Sequence, residues 1–459
     1  MATFHIENFG CRATQADAAA IERQLLERGY APSGAAKAAD VVVVNTCTVT
    51  ASADSQARQA IRAFHSANPA AQIVATGCYA QRAPEELAAL DGVRWVVGNS
   101  HQTEIAGLLG TALDSSFVSL AQVDTDPMSL ARGPAKILTG NIFEQTEVLV
   151  APVEGGEAGH TRPILKIQDG CNNRCSYCVI PFVRGRSRSL EPARVIEEVR
   201  GLSGAGYREV VLSGINLGSY GRDLAPRVGL GNLLCRILDE TPLERLRLSS
   251  IEPMDVTQDL VDLFASRPRL AHHFHVPLQS GSDRVLAAMH RWYRSEHYAR
   301  RVELIRERLP DAGIGADVIA GFPGETEEDH RATLALVENL PLTYLHVFSF
   351  SARPETKAAR LSGELPSETI KRRSRDLRVL AAQKQAAFLA TQVGHILRVL
   401  TLRRQGEDHR GKWTGALSSN YVNVHLAHRW PANQMLDVQT TTTEGTHLLG
   451  HACSTARFN

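Results

Sequence analysis

The stretch KIQDGCNNRCSYCVIP, residues 166–181, decides how the rest of the chain is read. It opens as an apolar strand and then sets Cys171, Cys175 and Cys178 in the spacing C-x-x-x-C-x-x-C. In a 4Fe–4S cluster each iron takes one ligand, so three thiolates leave one iron open to something else. A structural zinc site closes with four ligands in pairwise C-x-x-C spacing, and zinc stays as the competing metal. A ferredoxin run would read C-x-x-C-x-x-C and bring a fourth cysteine. The chain has eight cysteines in all, and in a reducing cytosol metal ligation or catalysis is a better reading than a disulfide framework.

Working outward from this loop, the segment PILKIQ is the first of six strands, followed by REVVLSG, RLRLSS, HFHVPLQ, GADVIAG and YLHVFSF. Helical segments lie between them, which predicts a partial barrel of six βα units with its chemistry on the loops after the strands. One such helix is signalled by Pro192 in its first turn and by Val195, Val199 and Leu202 on one face. Upstream, FHIENFG, VVVVNT and QIVATG alternate with helices near Ala16–Glu27 and Ser52–Ser66, an α/β pattern with a parallel sheet. These three strands end in Cys11, Cys47 and Cys78, and ligands of open parallel sheets bind at strand carboxyl ends. Downstream, a long helix over Ser367–Gln392 leads to short β-like stretches that suit a small β-barrel. The fold class is therefore a multidomain α/β protein: a cysteine-bearing parallel domain over 1–112, a connector with one or two strands over 113–160, the partial barrel over 161–385, and a β-barrel over 386–453.

Composition is that of an ordinary globular chain, 43% hydrophobic and 22% charged. Fifty basic and 49 acidic side chains leave a formal charge of +1, so a nucleic-acid site must be a local patch. The start, MATFHIENFG, carries no basic leader, and the apolar run VVVV at 41–44 is too short to span a bilayer. A cytoplasmic protein without a membrane partner is expected. Cys235 reads as a core residue and Cys453 as a tail thiol. His272, His273 and His275 share a strand with no matching carboxylate pattern, so no metal is expected there.

The three-cysteine loop, with Tyr177 directly before Cys178, resembles that of the radical S-adenosylmethionine enzymes. SGIN (Ser213–Asn216), PLQSGSD (Pro277–Asp283) and GADVIAGFPGET follow in the order that resemblance requires. Together with Cys11, Cys47 and Cys78, the chain resembles the methylthiotransferase family over nearly its whole length. The resemblance implies two 4Fe–4S clusters, one on Cys171, Cys175 and Cys178 and one on Cys11, Cys47 and Cys78. It implies contacts to S-adenosylmethionine from Ser213, Gly214 and Asn216 at the methionine end, from Gln279 and Ser280 near the ribose, and from Gly321 with Gly324 at the adenine.

It also implies a C-terminal RNA-binding domain of the TRAM kind, and an activity. A 5′-deoxyadenosyl radical removes a hydrogen from carbon 2 of an adenosine beside the anticodon of tRNA. Sulfur from the second cluster and a methyl group from a second S-adenosylmethionine then fill the position. The quoted stretches look most like the branch acting on threonylcarbamoyladenosine; sister branches act on isopentenyladenosine or on a ribosomal-protein aspartate. A nonenzymatic iron–sulfur RNA-binding protein is a more remote reading, because a carrier gains nothing from an open iron. An electron donor such as flavodoxin or ferredoxin and a sulfur source are further implied partners. Basic side chains suit the RNA: Arg184, Arg186 and Arg188 after the loop, Lys371, Arg372, Arg373, Arg375 and Arg378 on the long helix, and Arg398, Arg403, Arg404, Arg410 and Lys412 in the β domain. Trp413 and Tyr421 suit base stacking or core packing equally. Two positions depart from the family pattern: Thr14 stands where asparagine is common, and Glu355 where glycine is usual.

Overall fold

Three groups of elements follow one another in the computed structural model, which describes residues 1–114, 135–152 and 161–453. The first is a six-stranded parallel sheet in the order Ala31–Pro32, Thr3–Asn8, Val41–Thr46, Gln72–Gly77, Val93–Gly98, Lys136–Leu138. Val41–Thr46 is buried throughout, as a central strand covered on both faces must be. Helices Arg12–Glu27 and Ala51–Ala67 run close to the limits read from the sequence, the second capped by Thr50, whose side chain accepts from Ala53 N. Val93–Gly98 was not singled out by the sequence reading. Lys136–Leu138 is a strand inside the expected connector, most of which lies outside the described residues.

The second group is the partial barrel. Its six parallel strands are Ile164–Asp169, Glu209–Gly214, Arg245–Leu248, His273–His275, Gly313–Ala320 and Tyr344–Ser349. They form two sheets joined by parallel bridges from Leu246 to Leu270 and from Ser250 to His275. Alternation assigns the two faces. Leu165, Ile167, Val210, Leu212, Leu246, Leu248, Phe274, Ile314 and Ala316 turn outward into one core with Val195, Val199 and Leu202 of helix Pro192–Gly204. The alternate residues turn inward, and most are polar, Lys166, Glu209, Arg247, His275, Asp317 and His346 among them, with Ile164, Val211 and Ile319 between. Such an interior is not a hydrophobic core. It is the raw material of a site.

The third group begins with helix Ser367–Thr391 and ends in a closed five-stranded barrel, in the order Ile396–Asp408, Gly411–Ser418, Asn423–Ala427, His447–Ala452, Met435–Glu444. Buried Glu209 explains its seating. Arg245 and Arg247 both pair with that carboxylate and donate onward to the carbonyls of Arg398, Leu417, Ser418 and Ser419. Burial works to raise the pKa of Glu209, but Arg247, Arg245 and Arg162 together hold it at about 2. Tyr421 stacks on His273 with ring centroids 4.3 Å apart, so packing, not an RNA base, takes that ring.

Glu355 adopts φ +72° and is exposed. A left-handed backbone carries a steric cost for a side chain that glycine escapes. Glu355→Gly is therefore expected to raise the stability of the chain by up to about 1 kcal/mol, read as a higher denaturation midpoint. No helix among the described residues is long and apolar enough to cross a membrane.

Candidate active site

The loop that carries Cys171, Cys175 and Cys178 is fixed by its backbone before any metal is considered. Gly170, at φ +70°, leaves room for the bend that follows the loop, since a Cβ there would lie 2.0 Å from Arg186 O. Cys171 N donates to Gly185 O at 3.1 Å, Ser176 N to Met289 O at 2.9 Å and Ala358 N to Ser176 O at 2.8 Å. Donors point at the sulfurs: Asn173 N to Cys171 Sγ at 3.4 Å and Arg291 Nη1 to Cys175 Sγ at 3.2 Å, with Arg291 also paired to Glu252. Burial pushes the Cys178 thiol up to about 12, and its neighbours Cys175 and Cys171 add to the rise. Three thiols that oppose one another's ionisation are brought together by this fold, and a bound cation relieves the conflict.

Cys11, Cys47 and Cys78 also converge. Cys47 is pushed up to about 12, first by burial and then by the charges of Cys78 and Cys11. Gly10, at φ +114°, is required at this spot, because a Cβ on it would lie 2.5 Å from Cys47 Cβ and 2.9 Å from Cys47 Sγ. Asn99 Nδ2 lies 3.5 Å from Cys78 Sγ. Thr14 is buried and bonds back to Cys11 O at 2.7 Å, so this departure from the family pattern stiffens the turn that carries Cys11. Gly10→Ala is expected to displace Cys47 and halve the iron bound per chain, from about eight to about four atoms, measured by metal analysis after anaerobic reconstitution.

The N-terminal sheet and the cysteine loop meet at one space, which Cys178 lines directly and Cys47 borders through the two residues after Thr48. A cavity of about 250 Å³ is lined by Val49 and Thr50, just after Cys47, by Tyr177, Cys178 and Ile180, and by Gln279, Asp317, Ile319, Phe348 and Phe350 of the barrel. Behind it, Cys78 packs directly on Val179 and Val183. The docking that achieves this is ionic. Asp17, on the first helix, pairs with Lys166 and with Arg184 (2.6 Å), while Asp169 pairs with Lys166 (3.0 Å), Arg184 (3.1 Å) and Arg188 (3.5 Å). Arg353, from the loop after the sixth barrel strand, likewise reaches Thr48 and Asp54.

This network corrects two sequence expectations. Arg184 and Arg188 are buried, and their guanidinium groups are consumed by carboxylates and carbonyls, so they are not RNA-facing. Arg186 is exposed, as are Arg398, Arg403, Arg404 and Lys412. Of these, Arg398 is shared between Glu244 and Asp437, and Arg404 lies over the ring of Trp413. On the long helix Arg373 is buried against Glu325 and Arg372 is paired with Glu327.

The residues assigned to S-adenosylmethionine divide. Asn216 N is held by Gln168 Oε1 at 2.7 Å, its Nδ2 lies 4.0 Å from Cys171 Sγ, and its buried Oδ1 has no partner. An orphaned acceptor beside the loop fits the ammonium of a methionine moiety. Ser213 is buried on the same strand end, and a Cβ on Gly214 would lie 2.9 Å from Gln168 Oε1. Gln279, at φ +67°, lines the cavity. Ser280 turns the other way, against Thr333 of helix Glu327–Asn339, and is a packing residue. The bare face of Gly321 is taken by Ile370, 2.6 Å from where a Cβ would stand, so helix packing demands this glycine. The strand histidines are corrected as well: His275 meets a carboxylate, Asp317, supplied by the adjacent strand.

Fold, loop and cavity define a radical S-adenosylmethionine enzyme, and comparison with known proteins agrees. Residues 165–337 match the Radical SAM superfamily, and residues 3–98 match Uncharacterized protein family UPF0004. A "Threonylcarbamoyladenosine tRNA methylthiotransferase MtaB" of Aquifex aeolicus is 38% identical over 91% of this chain and 95% of its own length. A "tRNA-2-methylthio-N(6)-dimethylallyladenosine synthase" of Syntrophobacter fumaroxidans is 33% identical over 91% of this chain and 88% of its own. Among solved structures, the radical S-adenosylmethionine methyltransferase TsrM of Kitasatospora setae, described with cobalamin and a 4Fe–4S cluster bound, shares the fold. It has a TM-score of 0.57 at 19% identity, covering 78% of this chain and 77% of that one. The chain belongs to the methylthiotransferase family of radical S-adenosylmethionine enzymes.

Proposed function

We propose that this enzyme adds a methylthio group to carbon 2 of threonylcarbamoyladenosine next to the anticodon of tRNA, in the cytosol. The observation that carries the proposal is the shared cavity, whose lining includes both the segment after Cys47 and the loop at Cys178. Two cysteine centres brought near one cavity, one through Cys178 and the other through the segment after Cys47, suit a reaction in which a radical made at one side takes up sulfur at the other. Cys171, Cys175 and Cys178 would hold the first 4Fe–4S cluster and Cys11, Cys47 and Cys78 the second. When bound, these groups supply the electron that splits S-adenosylmethionine into methionine and a 5′-deoxyadenosyl radical, and the sulfur that is transferred.

The protein's own part is positioning and exclusion. Asn216 Oδ1 accepts from the methionine ammonium, with the residue held in place by Gln168. Ile319, Phe348 and Phe350 give the cavity an apolar lining, and a base bound over the half-exposed Phe348 would complete the exclusion of water from a carbon radical. Arg291, beside Cys175, places a buried cation next to the loop sulfurs. The exposed Arg186, Arg403, Arg404 and Lys412 offer phosphate contacts, those on the C-terminal barrel in the manner of a TRAM domain. A small electron-transfer protein of the flavodoxin or ferredoxin kind and a sulfur source complete the cycle.

The name of the Aquifex relative supports the threonylcarbamoyl substrate, and that of the Syntrophobacter relative marks isopentenyladenosine as the alternative. Anaerobically reconstituted enzyme, given reductant and tRNA carrying one or the other modification, tests the choice by nucleoside mass spectrometry. The methylthio product is expected from the threonylcarbamoyl tRNA; product from the isopentenyl tRNA alone would refute the assignment.

A further inference from the structure

Outside the cysteine loops, the barrel interior holds one cluster that the proposed chemistry does not use. His275, Asp317 and His346 come from three adjacent strands, Asp317 and His346 being direct register partners. Their ligating atoms all lie within 4.8 Å of one another. His275 Nε2 stands 2.9 Å and His346 Nδ1 3.2 Å from the same oxygen, Asp317 Oδ1. Behind them, His273 Nε2 lies 2.8 Å and His275 Nδ1 3.0 Å from the hydroxyl of Tyr344.

One assignment of protons satisfies the whole row. His273 Nε2–H donates to Tyr344, Tyr344 O–H donates to His275 Nδ1, and His275 Nε2–H and His346 Nδ1–H donate to Asp317 Oδ1. Burial keeps His273 neutral, consistent with that order. Burial works to raise Asp317, but its two histidine donors hold it at about 2, so it is ionised. The row fixes Oδ1, and no hydrogen bond from the described residues reaches Oδ2. Asp317 lines the cavity, and the His346 side chain beside it is 55% exposed.

We infer that Asp317 and His346, positioned by His275 and Tyr344, form the subsite that reads the polar group on N6 of the substrate adenosine. That group is a urea-linked hydroxy-amino acid: Asp317 Oδ2 accepts from its N–H donors, and His346 Nε2, the acceptor nitrogen of that ring, accepts from its hydroxyl. The inference rests on the substrate proposed above and gives it a structural cause. An isopentenyl group in the same place would leave an ionised carboxylate and an imidazole facing hydrocarbon, and a site built to hydrogen-bond discriminates strongly against an analogue that cannot.

The test is binding of the cluster-loaded enzyme to anticodon stem-loop RNAs that differ only in carrying threonylcarbamoyladenosine, isopentenyladenosine or plain adenosine at the modified position. The wild type is expected to prefer the threonylcarbamoyl RNA over the plain one by about 10-fold or more. Asp317→Asn and His346→Leu are each expected to reduce that ratio to within about 2-fold, each variant's affinity for plain RNA serving as its own reference. Iron content and melting temperature check the fold, and His346→Asn, at a half-exposed position, stands in for a variant that fails either check. A ratio unchanged in the variants overturns the inference. So does one equivalent of zinc held by the wild type and lost in His346→Leu, which would assign the three groups to a cation. Failure of the substrate proposal itself would appear differently, as a wild type that prefers the isopentenyl RNA.

Discussion

Cys175→Ala is expected to lower reductant-dependent formation of 5′-deoxyadenosine from S-adenosylmethionine by at least about a thousandfold, equivalent to ~4 kcal/mol of barrier. The loop does not need this thiol to hold its shape, because its anchors are backbone bonds from Cys171, Ser176 and Ala358. Arg291 also keeps its pairing with Glu252. On the proposed ligation, the variant would lose one of three ligands to a cluster already short of a fourth. Cys235→Ala, on the helix Leu230–Glu240 away from both trios, is expected to leave the rate unchanged. Turnover by Cys175→Ala at the wild-type rate would remove the radical reading.

The second large effect concerns how the two trios are brought together. Asp17→Asn keeps the shape of the side chain and removes one of two carboxylates facing the three cations Lys166, Arg184 and Arg188. Asp17 and Arg184 are each about 1% exposed, so the stranded charge has no water to turn to. Breaking a buried pair from one side costs about 3–5 kcal/mol. The melting temperature is expected to fall by on the order of 10 °C. Methylthio transfer should fall further than 5′-deoxyadenosine formation, because Asp17 sits on the helix that begins right after Cys11. A melting temperature within about 2 °C of wild type would show that this network is not what docks the N-terminal sheet.

How much was legible in the sequence follows from the range of the signals. The spacing of Cys171, Cys175 and Cys178 is local, and the six barrel strands announce themselves by alternation and strand-end turns, so both could be read directly. Cys11, Cys47 and Cys78 were legible because a parallel sheet puts strand ends on one edge. Arg184 was misread because the fate of a cation depends on its partner, and Asp17 lies far away in sequence. Ser280 and Gly321 sit at strand ends in the expected order, but which way each faces is decided by the helices carrying Thr333 and Ile370. The cluster of His275, Asp317 and His346 was invisible for the same reason. Each residue is unremarkable on its own strand, and only the strand register sets Asp317 beside His346.

On the proposed function, two cysteine trios hold two clusters near one cavity, one of them open to S-adenosylmethionine. Mössbauer and electron paramagnetic resonance spectra of the anaerobically reconstituted enzyme, recorded with and without S-adenosylmethionine, test it most directly. The expected result is about eight irons per chain in two distinguishable 4Fe–4S clusters, with a signal lost in Cys175→Ala being the one that shifts when S-adenosylmethionine is added. A single cluster of about four irons, or two clusters indifferent to S-adenosylmethionine, would contradict it.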